Sequence, residues 1–429
     1  MPWDEEPLSK RDRDRLHRQA QRERRRRADE AVARRRARGG DSPVRTLGAL
    51  IVLLAVLGGL VAVYLLATKN DNGFQRAASS GAGHGGSGSG SGTSGPVKVA
   101  KPVTINWVGD ITLGSKYGTP PDQARPMFAS VRDILRNADL TTGNLEGTLS
   151  EGGVSKCPSA PSLPTSTTTT PAAAQPTCFA FQAPPDNAAA LQGAGFDLMN
   201  LANNHAYDFG DDGESQTIHA LDRYGIQHTG RPGAITNVKV RNLKLAFVGF
   251  APYTWSSSIN DLVAAAQLVK AADADADIVV VMMHAGAEGA DKVHTPQGSE
   301  IAYGENRGET INFAHTVIDA GADLVLGSGP HVVRGIERYH GRLIAYSLGN
   351  FAGWHNFGLG GNLSLSGILH VRLASDGRLV DGRWHSLLLQ GAGTPVLDSA
   401  NTSAKLVNQL SHEDFTGVYH MDPDGKIRG

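Results

Sequence analysis

The sequence has almost no cysteine, no internal repeat and no overall excess of charge of either sign. Its 429 residues hold two cysteines, and 41 basic residues nearly balance 42 acidic ones. The lack of repeats excludes a solenoid or another repeat array. The near-neutral balance excludes a chain that is basic along its whole length, as many nucleic-acid-binding proteins are.

The two cysteines, Cys157 and Cys178, lack C-x-x-C spacing and lie in a segment rich in Ser, Thr and Pro. Such a pair predicts a single disulfide that forms in an oxidising compartment. Two unpaired loop thiols are the alternative interpretation.

Charge is divided unevenly along the chain. Residues 1–45 carry 15 basic and 9 acidic side chains, a net charge of +6, and the rest carries 26 and 33, a net charge of −7. This basic arm is either a solvated charged helix or a disordered segment. Because an apolar run follows it, we interpret it as the cytoplasmic flank of a membrane anchor rather than a nucleic-acid-binding arm. We expect no nucleic-acid partner.

The apolar run is the 21-residue stretch 47–67, which has no charged residue. At about 1.5 Å per residue, it is long enough for a bilayer core of roughly 30 Å. We predict one transmembrane anchor at 46–68, with the N-terminus in the cytoplasm and the rest outside the cell membrane. A cleaved signal peptide is the alternative, but the run is longer than the apolar core of such peptides. A flexible Gly/Ser-rich linker follows at 69–100.

Beyond residue 101, strand patterns alternate with helical ones, which predicts an α/β domain with parallel strands at its centre and antiparallel strands late in the chain. We place this domain at 101–395, with a Ser/Thr/Pro-rich insertion at 151–180 and a C-terminal tail at 396–429. A late hairpin turns at Asp376-Gly377. Other predicted elements include helices at 122–137, 185–194, 211–224, 258–274 and 308–320, and strands at 243–252 and 342–351.

Six polar side chains follow predicted strand ends: Asp110, Glu146, Asn204, His205, His284 and His331. Ligands of α/β sheets bind beyond the carboxyl ends of the strands, so we expect these side chains to converge. Each alone has an ordinary explanation, such as capping a turn or completing a hydrogen bond in the core. Together, their oxygen and nitrogen atoms suit a divalent cation such as Mn, Fe, Zn or Mg.

The segments GDITLGS, GNLEGTLS, NLANNHAYDFG, VVVMMHAGAE and GADLVLGSGPH resemble the CapA-type proteins of poly-γ-glutamate capsule synthesis, in the same order. The resemblance covers roughly residues 103–355 and extends to the membrane anchor before the domain. It implies a fold similar to that of the calcineurin-like metallophosphoesterases. That fold is a β-sandwich flanked by helices with a metal site at its strand ends, here preceded by one transmembrane helix.

The resemblance also implies roles for individual residues. His205 is expected to assist the leaving group, and Asp208 to orient His205 or to hold the turn. Glu288 matches a glutamate typical of CapA-type proteins, and we expect it to contact substrate. Arg231 and Arg334 are candidates for holding an anionic substrate, although a salt bridge is the more common fate of such an arginine. The metal ligands implied are Asp110, Glu146, Asn204, His284 and His331.

Two positions depart from the pattern of the related proteins. Metallophosphoesterases carry a histidine where this chain has Thr112, and CapA-type proteins usually have a histidine where it has Gly329. The loss of imidazole ligands weakens one of two metal positions, so the resemblance leaves open two ions, one ion or none.

Three functions remain open at this point. The first is a membrane-anchored protein of the synthesis or export of an anionic polymer such as poly-γ-glutamate, with the polymer or polymer-synthase subunits as partners. The second is a metal-dependent hydrolase that cuts a phosphoester or an amide in a cell-surface polymer. The third is a binding module that keeps the fold without catalysis.

Overall fold

The computed structural model describes residues 101–157 and 178–429. The predicted basic arm at 1–45, anchor at 46–68, linker at 69–100 and most of the insertion at 151–180 lie outside the described residues. Within the described ranges, no helix has the length and apolar content that a membrane crossing requires.

The strands are β1 (Val103–Thr112), β2 (Leu140–Leu145), β3 (Thr148–Leu149), β4 (Gln182–Ala183), β5 (Leu198–Asn200), β6 (Gln227–Thr229), β7 (Thr236–Val240), β8 (Leu243–Ala251), β9 (Ser257–Ser258), β10 (Ile278–His284), β11 (Ile301–Ala302), β12 (Glu305–Asn306), β13 (Leu324–Ser328), β14 (Ile336–Tyr339), β15 (Arg342–Ala345), β16 (Asn350–Gly353), β17 (Leu365–Leu373), β18 (Leu379–Gln390), β19 (Thr394–Leu397), β20 (His420–Met421) and β21 (Lys426–Arg428). The α-helices are α1 (Arg132–Leu135), α2 (Ala188–Ala194), α3 (Gly210–Arg223), α4 (Leu262–Asp273), α5 (Thr310–Asp319) and α6 (Thr402–Asp414). Short 3₁₀ turns cover Asp122–Phe128, Pro185–Asn187 and Gly361–Ser364.

Two mixed sheets form the centre of the described part of the chain. The first has the order β20-β21-β18-β17-β1-β2-β5-β6, with β16 paired to β1 and β19 to β18. The second has the order β14-β15-β13-β10-β8-β7, with β9 paired to β8. Parallel pairing joins β1, β2, β5 and β6 in the first sheet and β8, β10, β13 and β15 in the second. Antiparallel pairing joins β17 to β1 and β18 to β17.

Side chains alternate between the two faces of a strand, and the central strands β10 and β13 are buried on both faces. In β10, Val280 and Met282 belong to an apolar cluster between the sheets, whereas Val279 and Val281 pack with α4 and α5 on the outer side. On the far side of the first sheet, α2 and the turn at Asp122–Phe128 cover a third cluster. Strands covered on both faces read as continuous apolar runs. The structure confirms the predicted mixed α/β fold. The two sheets pack against each other, and helices lie on their outer sides.

Two predicted elements are wrong in detail. The single helix at 122–137 is a 3₁₀ turn followed by the four-residue α1, because Pro126 lacks an N–H and Gln123 and Ala124 have left-handed backbone angles. The single strand at 342–351 is two strands, β15 and β16, that belong to different sheets. Between them the chain crosses from one sheet to the other.

The last 34 residues, which the sequence analysis set apart as a tail at 396–429, belong to the same core. Strand β21 pairs with β18, and α6 inserts Val407 and Leu410, which are fully buried. Ala404, Tyr419 and Ile427 join the cluster between the sheets. The spacing of Ala404, Val407 and Leu410 is that of one helix face, but it does not show which sheet that face packs against.

Candidate metal centre

Five of the predicted site residues converge at the carboxyl ends of the parallel strands. Asp110 lies near the end of β1, Glu146 directly follows β2, and His284 is the last residue of β10. His205 lies in the loop between β5 and α3, and His331 follows β13 by three residues. Because β1 and β2 belong to one sheet and β10 and β13 to the other, the site lies where the two sheets meet.

The side chain of Glu146 is at the centre of this group. Its Oε1 lies 4.0 Å from His205 Nε2, 3.8 Å from His284 Nε2 and 3.8 Å from His331 Nε2. These distances are too long for hydrogen bonds. They leave room for an ion among the four atoms, since zinc and similar cations bind such ligands at about 2.0–2.2 Å.

The donor set fits a divalent cation. Ligand atoms of Asp110, Glu146 and His331 lie within 4.8 Å of one another. Both carboxylate oxygens of Glu146, and Nε2 of His284, are buried without a hydrogen-bond partner in the described residues. Buried polar atoms are rarely left without partners, and a site of this kind is a standard reason for the exception.

Neighbouring side chains orient two of the imidazoles. His331 Nδ1 lies 2.8 Å from Asn350 Oδ1, which accepts its proton and leaves Nε2 facing the site. His284 Nδ1 lies 3.2 Å from Ser328 Oγ, which can accept its proton, and 3.1 Å from the amide nitrogen of Asn144. Hydrogen bonds at the outer nitrogen fix the tautomer and direction of a metal-binding histidine. His331 holds a left-handed backbone angle, with φ at 61°, which is a strained geometry often found at functional sites.

Without a cation, bound protons balance the charges of the site. Burial, together with the nearby Asp110 carboxylate, raises the pKa of Glu146 well above its usual range. Burial alone would lower the pKa of His331, but Glu146 and Asp110 raise it to about 10. Burial lowers the pKa of His284 to about 3, so this ring is neutral and able to bind a metal. A divalent cation would take over the charge balance that protonated His331 provides.

His205 belongs to a second hydrogen-bonded unit. Its Nδ1 lies 2.8 Å from Asp208 Oδ2, and Asp208 also forms a 2.6 Å ion pair with Lys156. Phe181 packs on the imidazole with ring centroids 4.2 Å apart. Asp208 therefore orients His205, as predicted, and the fully buried carboxylate also accepts from the Phe181 backbone N–H at 2.6 Å.

The predicted disulfide between Cys157 and Cys178 is present. It lies between Lys156, which contacts the His205 unit, and Phe181, which covers it. The crosslink thus closes the insertion and holds both ends of it against the site.

Replacing both cysteines by serine should therefore lower the free energy of unfolding by about 3 kcal/mol, the value for closing a loop of comparable length. Urea denaturation of the oxidised wild type and of the Cys157→Ser/Cys178→Ser variant measures the difference. Wild-type protein treated with reductant is the matched control and should unfold with the variant. Equal midpoints for the oxidised wild type and the variant would contradict a stabilising crosslink.

A cavity of about 430 Å³ leads to the metal centre. His205 and His331 line it, whereas Asp110 and His284 lie fully buried behind them. One wall is aromatic: Tyr253 stacks on Trp255 with ring centroids 4.9 Å apart. A substrate in this cavity would reach the centre through the two imidazoles.

Arg307 and Glu288 form the charged wall of the cavity. Arg307 Nη1 lies 2.9 Å from Glu288 Oε1, and its Nε lies 2.9 Å from Glu305 Oε2. Its guanidinium also lies over the Tyr253 ring at 5.7 Å. This ion pair directs Glu288 Oε2 toward His331 Nε2, at 3.7 Å. Glu288 therefore lies beside the metal centre, and its contact with substrate stays a prediction.

The two predicted substrate-binding arginines do not line this cavity. Arg334 is 1% exposed, and Glu300 binds its guanidinium with two hydrogen bonds of 2.9 and 2.7 Å. Arg231 lies 3.3 Å from Glu214 and lines a separate shallow pocket. Both arginines form salt bridges with glutamates of the protein, as arginines commonly do. Asn204 does line the cavity, with a buried Oδ1 that has no partner in the described residues, and its role as a ligand stays a prediction.

The two departures have structural consequences. Gly329 has a φ of +115°, and a Cβ there would lie 2.8 Å from Ala285 N and 3.3 Å from the His284 ring. A histidine does not fit this backbone. Thr112 is fully buried, and its hydroxyl has no partner in the described residues. The described residues thus provide one full set of candidate ligands, and this set surrounds Glu146.

Sequence reasoning missed Lys156 and Arg307, which both line the cavity. Lys156 precedes Cys157, so the disulfide determines where its side chain lies. A sequence pattern does not show the position of that disulfide relative to the cavity. Arg307 lies in a loop between β12 and α5, 19 residues after Glu288. The only available signal was an arginine among acidic residues in GENRGE.

Comparison with known proteins identifies relatives of the chain. A family model described as "Bacterial capsule synthesis protein PGA_cap" matches residues 104–353. The capsule biosynthesis protein CapA of Bacillus anthracis is 27% identical over 355 residues, which cover 76% of this chain and 77% of that protein. The PGA biosynthesis protein CapA of Bacillus subtilis (strain 168) is 26% identical over 275 residues, 59% of this chain and 64% of that protein.

Among solved structures, a 5'-nucleotidase precursor from Thermus thermophilus matches with a TM-score of 0.38 and 12% identity, covering 73% of this chain and 59% of that one. The chain thus spans less than two thirds of the second relative and of this structure.

Proposed function

We propose that this chain, which belongs to the PGA_cap family of bacterial capsule synthesis proteins, takes part in the synthesis or export of an extracellular anionic polymer such as poly-γ-glutamate. The observation that carries the proposal is the convergence of Asp110, Glu146, His284 and His331 at the base of a cavity. The names of two relatives, a capsule biosynthesis protein and a PGA biosynthesis protein, supply the class of polymer.

We further propose that the folded domain works outside the cell, attached by one membrane anchor at 46–68. Two observations support this arrangement. The apolar stretch is long enough for a bilayer and has a basic flank before it. The Cys157–Cys178 disulfide is typical of proteins in oxidising compartments.

The residues at the site have distinct roles. Asp110, Glu146 and His331 would hold the cation, with His284 as a further ligand. A bound divalent cation supplies a Lewis acid for a phosphoryl or carbonyl oxygen and lowers the pKa of a water molecule. Asp208 fixes His205 so that its Nε2 faces the site and can pass a proton to a leaving group. The aromatic wall limits access of bulk water to the imidazoles.

Complementation tests the polymer role. A strain that makes poly-γ-glutamate and lacks its own PGA_cap-family protein receives this chain, and polymer per cell is measured. We expect polymer to return above the empty-vector level when immunoblots show the chain in the membrane fraction. Membrane-localised protein without polymer would overturn the proposal.

Metal-dependent hydrolysis is the second candidate, and the His205–Asp208 pair favours it, because this arrangement suits general acid–base chemistry. The His205→Gln variant should then lower cleavage of an aryl phosphate or of poly-γ-glutamate by about 10²–10⁴-fold. Its metal content should change little, since the Asp110, Glu146 and His331 group remains. His219→Gln, an exposed histidine on α3, is the matched control. Absence of cleavage by metal-loaded wild type would exclude hydrolysis of these substrates.

A further inference from the structure

A second, larger groove of about 880 Å³ lies on the outer face of the first sheet, beside α1. It is lined by six basic or imidazole side chains, which we call the basic groove: Arg136, His370, Arg372, Arg383, His385 and Lys426. Two acidic residues, Asp133 and Asp381, also line it. None of its residues lines the cavity of the metal centre.

The strand register aligns like charges within the basic groove. Arg383 on β18 is directly opposite Lys426 on β21, and also directly opposite His370 on β17. Neighbouring strands are about 4.8 Å apart, so the three side chains form a short row across the sheet. Like charges directly opposite each other destabilise a sheet. Burial lowers the pKa of His370, so its ring adds no charge at neutral pH. The Arg383–Lys426 pair is unfavourable for folding, and an anionic ligand would relieve its repulsion.

The two carboxylates of the groove face four arginine and lysine cations, so a net positive charge remains. Asp381 forms an ion pair with Arg372 at 3.1 Å. In the described ranges, neither Arg136, Arg383 nor Lys426 forms an ion pair. Burial, followed by the neighbouring Arg383 and His370, lowers the pKa of His385 to about 4, as expected in a positive environment.

The cavity of the metal centre offers much less free positive charge. Its lysine and arginine, Lys156 and Arg307, already pair with Asp208, Glu288 and Glu305. Its protonated His331 lies beside the Asp110 and Glu146 carboxyl groups. A long anionic chain would therefore find its main attraction on the basic groove. The two sites are not adjacent: Asn106, which pairs with His370, is four residues before Asp110, about 13 Å along β1.

We propose that the basic groove binds a segment of a polycarboxylate chain, such as the polymer that the metal centre serves. Arginine forms paired hydrogen bonds with carboxylates, and three arginines line the groove. Binding of a segment there holds the rest of the chain near the domain and raises its effective concentration at the metal centre. The choice of a polycarboxylate as the ligand rests on the proposed function, whereas the basic lining of the groove is independent of it.

The test measures binding of fluorescent poly-γ-glutamate to the full chain in detergent at two salt concentrations. The Arg383→Glu/Lys426→Glu variant should bind at least tenfold more weakly, and the wild-type affinity should fall as salt rises, because the contacts are ionic. Lys239→Glu/Lys270→Glu is the matched control, since both lysines are exposed on the other half of the domain and form no ion pair in the described residues. The control should bind like the wild type.

Three results would overturn the proposal: equal affinity of the groove variant and the control, affinity independent of salt, or tighter binding of a single-stranded oligonucleotide of equal charge. Metal content is measured for each variant and should not change, because the groove shares no residue with the metal centre. If the groove variant loses binding while the complementation described above fails, the groove stands and the polymer role falls. If complementation succeeds and the groove variant binds the polymer as tightly as the wild type does, the polymer role stands and the groove proposal falls.

Discussion

The Glu146→Gln variant should lose its metal and its polymer production and yet be more stable than the metal-free wild type. The Nε2 atoms of His284 and His331, two of the proposed ligands, lie 3.8 Å from Glu146 Oε1, and that of His205 lies 4.0 Å from it. Removing its charge should weaken metal binding by more than the roughly 10–100-fold that loss of an outer hydrogen bond causes. Elemental analysis of purified protein and polymer per cell in the complemented strain measure the two losses.

The stability gain follows from the surroundings of the carboxylate. Both oxygens are buried without partners in the described residues, and burial raises the pKa of Glu146 well above the ordinary value of 4.5. A group with a raised pKa stabilises the fold at low pH and loses that contribution as pH rises above its ordinary value. The free energy of unfolding of the metal-free wild type should therefore fall as pH rises above 4.5. That of Glu146→Gln should fall less over the same pH range. At neutral pH we expect the variant to be more stable by on the order of 1 kcal/mol.

Thr112→Val is the matched control for this experiment. Thr112 is buried on β1, two residues after Asp110, and its hydroxyl has no partner in the described part of the chain. Its replacement by an isosteric apolar side chain should leave metal content unchanged and stability equal or slightly higher. Full metal content in Glu146→Gln, or lower stability than the metal-free wild type, would refute the assignment of Glu146.

The sequence predicted this centre because its residues lie at the ends of strands. Apolar runs located β1, β2 and β10, and the polar residue after each run was necessarily at the carboxyl edge of a sheet. Asp110, Glu146 and His284 could thus be placed together without knowledge of the strand order. Strand ends gave no such guide for Arg334, because its position two residues before β14 does not reveal the buried Glu300 that binds its guanidinium.

Long-range pairing accounts for the other failures. The run at 342–351 looks like one strand, since the sequence does not show that β15 pairs with β13 while β16 pairs with β1. The basic groove was also invisible, because Arg383 and Lys426 lie 43 residues apart and only the register of β18 and β21 brings them opposite. Periodicity identifies elements, but not their neighbours.

Gly329→Ala should destabilise the protein by at least about 2 kcal/mol, because two penalties combine. The residue has a φ of +115°, which side-chain-bearing residues rarely adopt, and the new Cβ would lie 2.8 Å from Ala285 N and 3.0 Å from Ala285 O. Backbone atoms cannot rotate away as a side chain can, so the segment after His284 must shift. Urea denaturation measures the loss.

Gly233→Ala separates the two penalties. Gly233 also has a positive φ, +72°, but a Cβ there would meet no atom within 4 Å. This control should lose only about 1 kcal/mol from backbone strain. The comparison bears on metal stoichiometry, because Gly329→His introduces the residue that the resemblance to CapA-type proteins leads us to expect there. On this backbone the imidazole would displace Ala285 and the adjacent His284, so we expect Gly329→His to bind less metal than the wild type. A rise in bound metal with unchanged stability would show that the loop adapts and that glycine alone withholds a second ion.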